Sequence, residues 1–202
     1  MITGTDTMDQ VAAAIAGCTL CPLSLSRTRT VPGEGPVPSA LLFIGEAPGK
    51  KEDETGRPFV GRAGQILTDL LSRCGLSREE VFITSIVKCR PPGNRAPRRD
   101  EIAACMPYLE AQIALLSPRV LVPMGRFATV TVFGMYGLPF PSFGEVRGRG
   151  HGVRDQRSGR EMTIVPVYHP AVITHNPPAR RDLEEDFRKL AGVIRTSPGS
   201  RK

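Results

Sequence analysis

The chain of 202 residues contains no tryptophan, three tyrosines and eight phenylalanines. A protein that holds single-stranded nucleic acid mainly on stacked aromatic platforms needs more. That class recedes, although one or two aromatics can still serve a specific task. No apolar run approaches the eighteen or so residues of a membrane-spanning helix. The opening MITGTDTMDQ is polar, with no basic stretch before an apolar one, so no secretory signal is expected. Five cysteines, an odd number in a chain without such a signal, argue against a disulfide framework. Lysine is scarce as well: 5 Lys against 22 Arg, in a chain of formal net charge +7. Arginine forks grip phosphate in a bidentate way, so the bias suits a polyanionic partner. A genome that favours arginine codons gives the same composition, and both readings stand at this level.

What is present is ordinary globular material, 40% apolar and 23% charged. It reads as a single domain over residues 1–195, with 196–202 as a disordered tail. Residues 8–17 have the pattern of a short helix. ALLFIG at 40–45 is a continuous apolar run ending at glycine, the pattern of a strand buried on both faces. Further strands are expected at 81–87, 119–124 and 162–168. Helices are expected at 62–74, 99–116, 125–133 and 179–194, with Pro107 making the second of these irregular or kinked. Residues 46–59, 88–98 and 134–160 read as loops, the last with a short strand. Strands alternate with helices, so the expected fold is one open, mostly parallel α/β sheet with helices on both faces. Such sheets bind ligands beyond the carboxyl ends of their strands. The loops there are GEAPG, KCRPPGNR, MGR and YHPAV.

The cysteines are Cys18, Cys21, Cys74, Cys89 and Cys105. Cys18 and Cys21 form a C-x2-C pair, whose short spacing lets two thiolates face one metal centre. Cys89 and Cys105 form a C-x15-C pair, with 67 residues between the pairs. Four thiolates suit zinc or an iron–sulfur cluster, although the uneven spacing is unlike a compact zinc ribbon. On spacing alone, metal and no metal both stay open. Cys74 lies on the apolar side of a helical pattern and reads as a core thiol.

Val31, Gly33 and Gly35 in V-x-G-x-G, then GEAPG, RPFVGRAG, VKCRPPGNR and YHPA, occur in that order together with the four paired cysteines. In this the chain resembles the family-four uracil-DNA glycosylases, the iron–sulfur members of their superfamily in archaea and bacteria, from about Cys18 to Leu190. The resemblance implies a three-layer α/β/α sandwich around a central four-stranded, mainly parallel sheet. It implies a prokaryotic, cytoplasmic enzyme of base excision repair. It also implies a [4Fe–4S] cluster on Cys18, Cys21, Cys89 and Cys105, and a partner in single- or double-stranded DNA carrying deaminated bases. A monomer is expected. The family is reported to meet sliding clamps, but no clamp-binding motif is evident here.

A glycosylase flips its nucleotide out of the stack at a cost of a few kcal/mol, and an aromatic face offsets part of that. Phe59 matches the family's stacking Phe; without the resemblance, an isolated loop Phe reads as a core anchor. Gly45, Glu46 and Ala47 match the segment that lines the family's uracil pocket. Glu46 is its only carboxylate, suited either to position water near C1′ or to brace the loop by hydrogen bonding; bracing is the preferred reading. Breaking the N-glycosidic bond leaves negative charge on the base, which a preorganised donor stabilises best. His169 matches the family's His, which donates toward uracil O2. His151 and His175 read as surface residues, the latter near DNA. Arg57, Arg62, Lys88, Arg90 and Arg95 cluster in the motif loops, and Arg180 follows HNPP. They are the expected phosphate contacts.

One position departs from the family's T-N-x-V-K-C pattern: Ser85 stands where an Asn is usual. Uracil presents an N3–H donor beside an O4 acceptor. An Asn amide answers both, whereas a shorter Ser hydroxyl has one proton to give. Losing one buried partner costs about 1–3 kcal/mol. The expected activity is therefore monofunctional hydrolysis of uracil, and possible activity on other deaminated bases, from DNA. The alternative is an iron–sulfur DNA-binding relative with weak or altered base specificity.

Overall fold

Every residue of Leu41–Gly45 is buried, because this strand, β1, lies at the centre of a sheet covered on both faces. The computed structural model describes residues 7–155 and 158–196. The chain enters through helix α1, Met8–Ala16, which Thr7 and Gln10 start with a capping box. After β1 come a short helix α2, Lys50–Thr55, and α3, Arg62–Arg73. Strand β2, Phe82–Ser85, leads through the Pro-rich loop to α4, Arg99–Leu116. Then follow β3, Val120–Pro123, α5, Arg126–Met135, and α6, Phe143–Val146. A hairpin of β4, His151–Arg154, and β5, Glu161–Ile164, precedes α7, Val172–His175, and the closing α8, Arg180–Thr196.

The strand order is β2-β1-β3-β5-β4. Phe43 pairs with Ile83 on one side and Val122 on the other, and Val120 pairs with Thr163, all parallel. β4 runs antiparallel to β5 and closes one edge. The expected four-stranded sheet is therefore five-stranded. The extra strand lies within the 134–160 stretch, where alternating Gly and Arg hide any apolar period. It buries only part of one face, which is what an edge strand requires.

Two apolar clusters flank the sheet. One joins Val11 and Ile15 of α1, Leu109 and Ile113 of α4 and Val132 of α5 to Leu42, Ile44 and Leu121. The other joins Leu67 and Leu71 of α3 and Leu183, Phe187 and Leu190 of α8 to Phe43 and Val122. α4 runs through Pro107 without interruption, contrary to the expected kink, because its packing on α1 and the sheet outweighs one lost backbone bond. The 46–59 segment also holds α2, six residues too polar to show a helical stripe. Residues 197–202 of the expected tail lie outside the described residues, and Thr196 ends α8.

The carboxyl ends of the parallel strands stay locked together past their last formal residues. Ile86 N–H donates to Gly45 O at 2.9 Å, Met124 N–H to Ile44 O at 2.8 Å and Gly125 N–H to Val167 O at 2.8 Å. The segments 46–48, 85–88, 124–125 and 167–169 therefore leave the sheet from one rigid rim. β1 sends its chain to β2 on one side, and β3 lies on the other. That is the switch point at which open α/β sheets bind ligands.

Candidate active site

At this rim lies a cavity of about 530 Å³, lined by Glu46, Ala47, Glu52, Phe59, Ser85, Arg95, His169 and His175 among others. It brings together residues 46–47, 59, 85 and 169, which the sequence spreads over 124 positions.

Phe59 is 7% exposed and its backbone is left-handed, at φ 50°, a strain found where surrounding structure over-determines a residue. Two glycines admit it. A Cβ on Gly45 would stand 2.7 Å from the Phe59 Cζ, and one on Gly64 would stand 1.7 Å from the Phe59 carbonyl oxygen. The ring centroid is 5.6 Å from that of His169. The loop is held by Arg78, a residue that no sequence pattern marked. Its guanidinium donates to Phe59 O at 2.8 Å and to Pro58 O, and pairs with Glu34 at 3.1 Å. Arg57 meets the same Glu34 through Nε at 2.8 Å and Nη2 at 3.0 Å. These two cations hold the Glu34 carboxyl below its usual range, despite its partial burial, with the Arg57 bond the larger cause.

His169 follows the last parallel strand. Its Nδ1 accepts the backbone N–H of Ala171 at 3.2 Å. An accepting Nδ1 is unprotonated, so the neutral ring carries its proton on Nε2. Burial lowers the pKa to about 4, against a weaker raising influence from Glu52, so the ring is neutral at pH 7. Gly125 lies beneath it, where a Cβ would stand 3.1 Å from the His169 Cβ.

Glu46 does not brace its loop: among the described residues its carboxylate makes no hydrogen bond, and burial raises its pKa. Glu52, on α2, does the bracing instead, accepting the N–H groups of Val60 and Gly61 at 2.9 Å each. Asp53, buried, ties α2 to the backbone of Thr28 at 2.9 Å. Ser85 is 3% exposed, and its hydroxyl has no hydrogen-bond partner among the described residues.

The expected phosphate contacts divide. Lys88 is 1% exposed and its Nζ donates to Thr84 Oγ1 at 2.7 Å and Ser85 O at 2.6 Å. It is an internal strut, not a surface cation, because its stem turns back under β2; burial lowers its pKa to about 8. Arg90 donates to Asn94 Oδ1 at 2.8 Å. Arg95 lines the cavity and grips Glu101 through both Nη atoms, at 2.8 and 2.6 Å. Arg62 and Arg180 are exposed at the first turns of α3 and α8. Of the other histidines, His175 is exposed at the cavity mouth. His151 is not the expected surface residue: it is half-buried, edge-on to Phe133 at 5.0 Å, with Nε2 3.1 Å from Val146 O.

Cys18, Cys21, Cys89 and Cys105 line one small pocket together with Arg27, Lys88 and Tyr108, and none is in a disulfide. Arg27 Nη1 donates to Cys89 Sγ at 3.2 Å. Burial pushes the Cys105 thiol up to about 11. Among the described residues no three His, Cys, Asp or Glu side chains are grouped so as to hold a single metal ion. The soft donor set and its shared pocket fit a larger thiolate-bound group. Cys74 stands apart at the end of α3, half-buried, its thiol donating to Phe187 O at 3.3 Å.

Residues 32–191 match the family model described as the uracil DNA glycosylase superfamily. Three relatives are named type-4 uracil-DNA glycosylase. That of Saccharolobus solfataricus is 45% identical over 96% of this chain and 89% of its own length. That of Sulfurisphaera tokodaii is 44% identical over 92% and 84%, and that of Thermotoga maritima 42% identical over 96% and 98%. With the motifs in one cavity and the likeness running through almost the full length of both chains, this chain belongs to the uracil-DNA glycosylase superfamily, among its type-4 members.

Proposed function

We propose that the protein hydrolyses the N-glycosidic bond of uracil in DNA, leaving an abasic site. The observation that carries this reading is His169: a half-buried, neutral imidazole with its proton on Nε2, lining the cavity beside the Phe59 ring. The flipped base stacks on Phe59, which offsets part of the unstacking cost. As the C1′–N1 bond breaks, its electron pair passes to the base. The Nε2–H donates to the uracil O2, where negative charge gathers. A neutral donor already aimed into the cavity does this with little reorganisation. The sugar develops oxocarbenium character, as in glycoside hydrolysis. Glu46, which makes no hydrogen bond among the described residues and whose pKa burial raises, orients the attacking water and takes its proton. Ser85 meets one polar edge of the base with its unpartnered hydroxyl.

Arg62 and Arg180, exposed at the first turns of α3 and α8, the latter with a 3.9 Å pair to Glu184, are the readiest phosphate contacts; Arg57, Arg90 and Arg95 are bound to Glu34, Asn94 and Glu101. Cys18, Cys21, Cys89 and Cys105 would hold a [4Fe–4S] cluster, and through it α1, the Pro-rich loop and α4 would be tied to one another. The domain acts as one unit, as a monomer in the prokaryotic cytoplasm.

Excision assays on single- and double-stranded oligonucleotides carrying one uracil test the reading. The wild type is expected to leave alkali-labile abasic sites, and His169→Ala to slow this by about 10²–10³-fold, the usual cost of removing one anion-stabilising donor. Excision by His169→Ala at the wild-type rate would sink it.

A further inference from the structure

Arg147 opens an arginine-rich stretch to which the mechanism above gives no task. It does not face solvent: its side chain is 18% exposed, and Nη1 meets Oδ1 of the fully buried Asp186 on α8 at 2.6 Å. The other Asp186 oxygen accepts the backbone N–H of Tyr168 at 3.0 Å. The guanidinium also lies over the Tyr168 ring, 4.7 Å from its centroid, and reaches the outer Asp182 at 3.4 Å. The next residue, Gly148, donates to Pro166 O at 2.7 Å and has a left-handed backbone, and a Cβ there would stand 3.0 Å from Asp186 Oδ1. A buried ion pair is costly to desolvate, and an apolar pair of the same volume is often as stable. This one is aimed at a single backbone N–H, that of the residue before His169.

We propose that Arg147 and Asp186 are positioning residues for His169. They clamp the Val167–Tyr168 peptide, one peptide before His169, as the Ala171 N–H fixes the ring from the carboxyl side. Together the two restraints set where Nε2–H points in the cavity. The inference rests on the reading of His169 as the donor to the departing base. A donor displaced by about 1 Å can cost about a hundredfold in rate.

Single-turnover excision from a uracil-containing oligonucleotide tests it, with Asp186→Asn and Arg147→Lys made both in the wild type and in His169→Ala. Each is expected to slow excision by about 10–100-fold while binding of abasic product DNA stays within about twofold. In the His169→Ala background both effects should shrink to within about threefold, because the group being aimed is gone. Asp182→Asn, which loses only the outer contact, should stay within about twofold of wild type. Equal losses with and without His169, or no loss at all, would overturn the proposal and leave the pair as a stability device. If Asp186→Asn does not fold, Arg147→Lys carries the same expectations. A wild type that cannot excise uracil removes the functional reading and this inference with it, a result distinct from either of those.

Discussion

At the residue scale, two side chains set what the cavity can select and under what conditions. Ser85 offers one short hydroxyl where an amide would meet two neighbouring groups of the base. Ser85→Asn is expected to raise the preference for uracil over hypoxanthine and xanthine by about 5–150-fold, the equivalent of roughly 1–3 kcal/mol for one buried partner regained. Competition between oligonucleotides carrying each base reads this out, and unchanged ratios would show that selection lies elsewhere. His169 governs acid behaviour. Its folded pKa of about 4 lies below the ordinary value of 6.5, so between these values the unfolded chain binds the extra proton. Stability from this group is thus full above pH 6.5 and is lost as pH falls toward 4. Wild type is expected to lose Tm across that window more steeply than His169→Gln, while kcat shows no inflection near 6.5.

At the scale of elements, the cavity is built by loops that leave a common rim, and each loop is tied to something rigid. The Phe59 loop depends on Arg78, at the start of the 3-10 turn Arg78–Glu80, and through it on Glu34. Arg78→Met keeps the stem and removes the donors to two carbonyls. It is expected to lower kcat/KM about 10–100-fold and to reduce the quenching or anisotropy signal of a 2-aminopurine placed beside the lesion, which reports base flipping. An unchanged flipping signal would show that Gly45 and Gly64 alone suffice to seat the ring. The sequence made the elements that run through the core easy to read, because ALLFIG and VFITSIV are buried on both faces and carry unbroken apolar runs. α2 was hidden for the opposite reason, since Lys50–Thr55 is polar all round, and the short strand expected within 134–160 could not be given bounds or a place in the sheet, since His151–Arg154 is an edge with glycine and arginine in it. The motif residues 46, 59 and 169 were legible because their chemistry sits beside glycine or proline, and Ser85 because it departs from the T-N-x-V-K-C pattern. Glu52, Arg78 and Asp186 were not, because a bond to a backbone N–H or carbonyl leaves no pattern in side-chain order. Lys88 was misread for a related reason. A lysine among loop arginines looks like surface charge until the chain path shows it turning inward.

At the scale of the whole molecule, the four paired cysteines come from separate parts of the chain that meet at one small pocket. Cys18 follows α1, Cys89 follows β2 and Cys105 lies in α4, and α1 packs on α4. Cys18→Ser is expected to abolish iron and acid-labile sulfide in the purified protein and the visible absorption that goes with them. It should also speed hydrogen exchange in α1 and lower Tm by about 2–4 °C for each kcal/mol lost. Full iron content in that variant would place the cluster elsewhere. Colourless protein carrying zinc after anaerobic preparation would replace iron with zinc at the same thiolates.

The six residues from Thr84 to Cys89 have a consequence for how this chain can vary. Thr84 bonds the Pro32 carbonyl, Ser85 faces the cavity, Lys88 straps back to both, and Cys89 takes a bond from Arg27. Inserting or deleting one residue here would shift Ser85 and Cys89 relative to each other and set the serine or the thiol out of place. The stretch is therefore held in length as well as in letters. A descendant with a different count between these two positions must have rebuilt its base pocket, its thiolate site, or both.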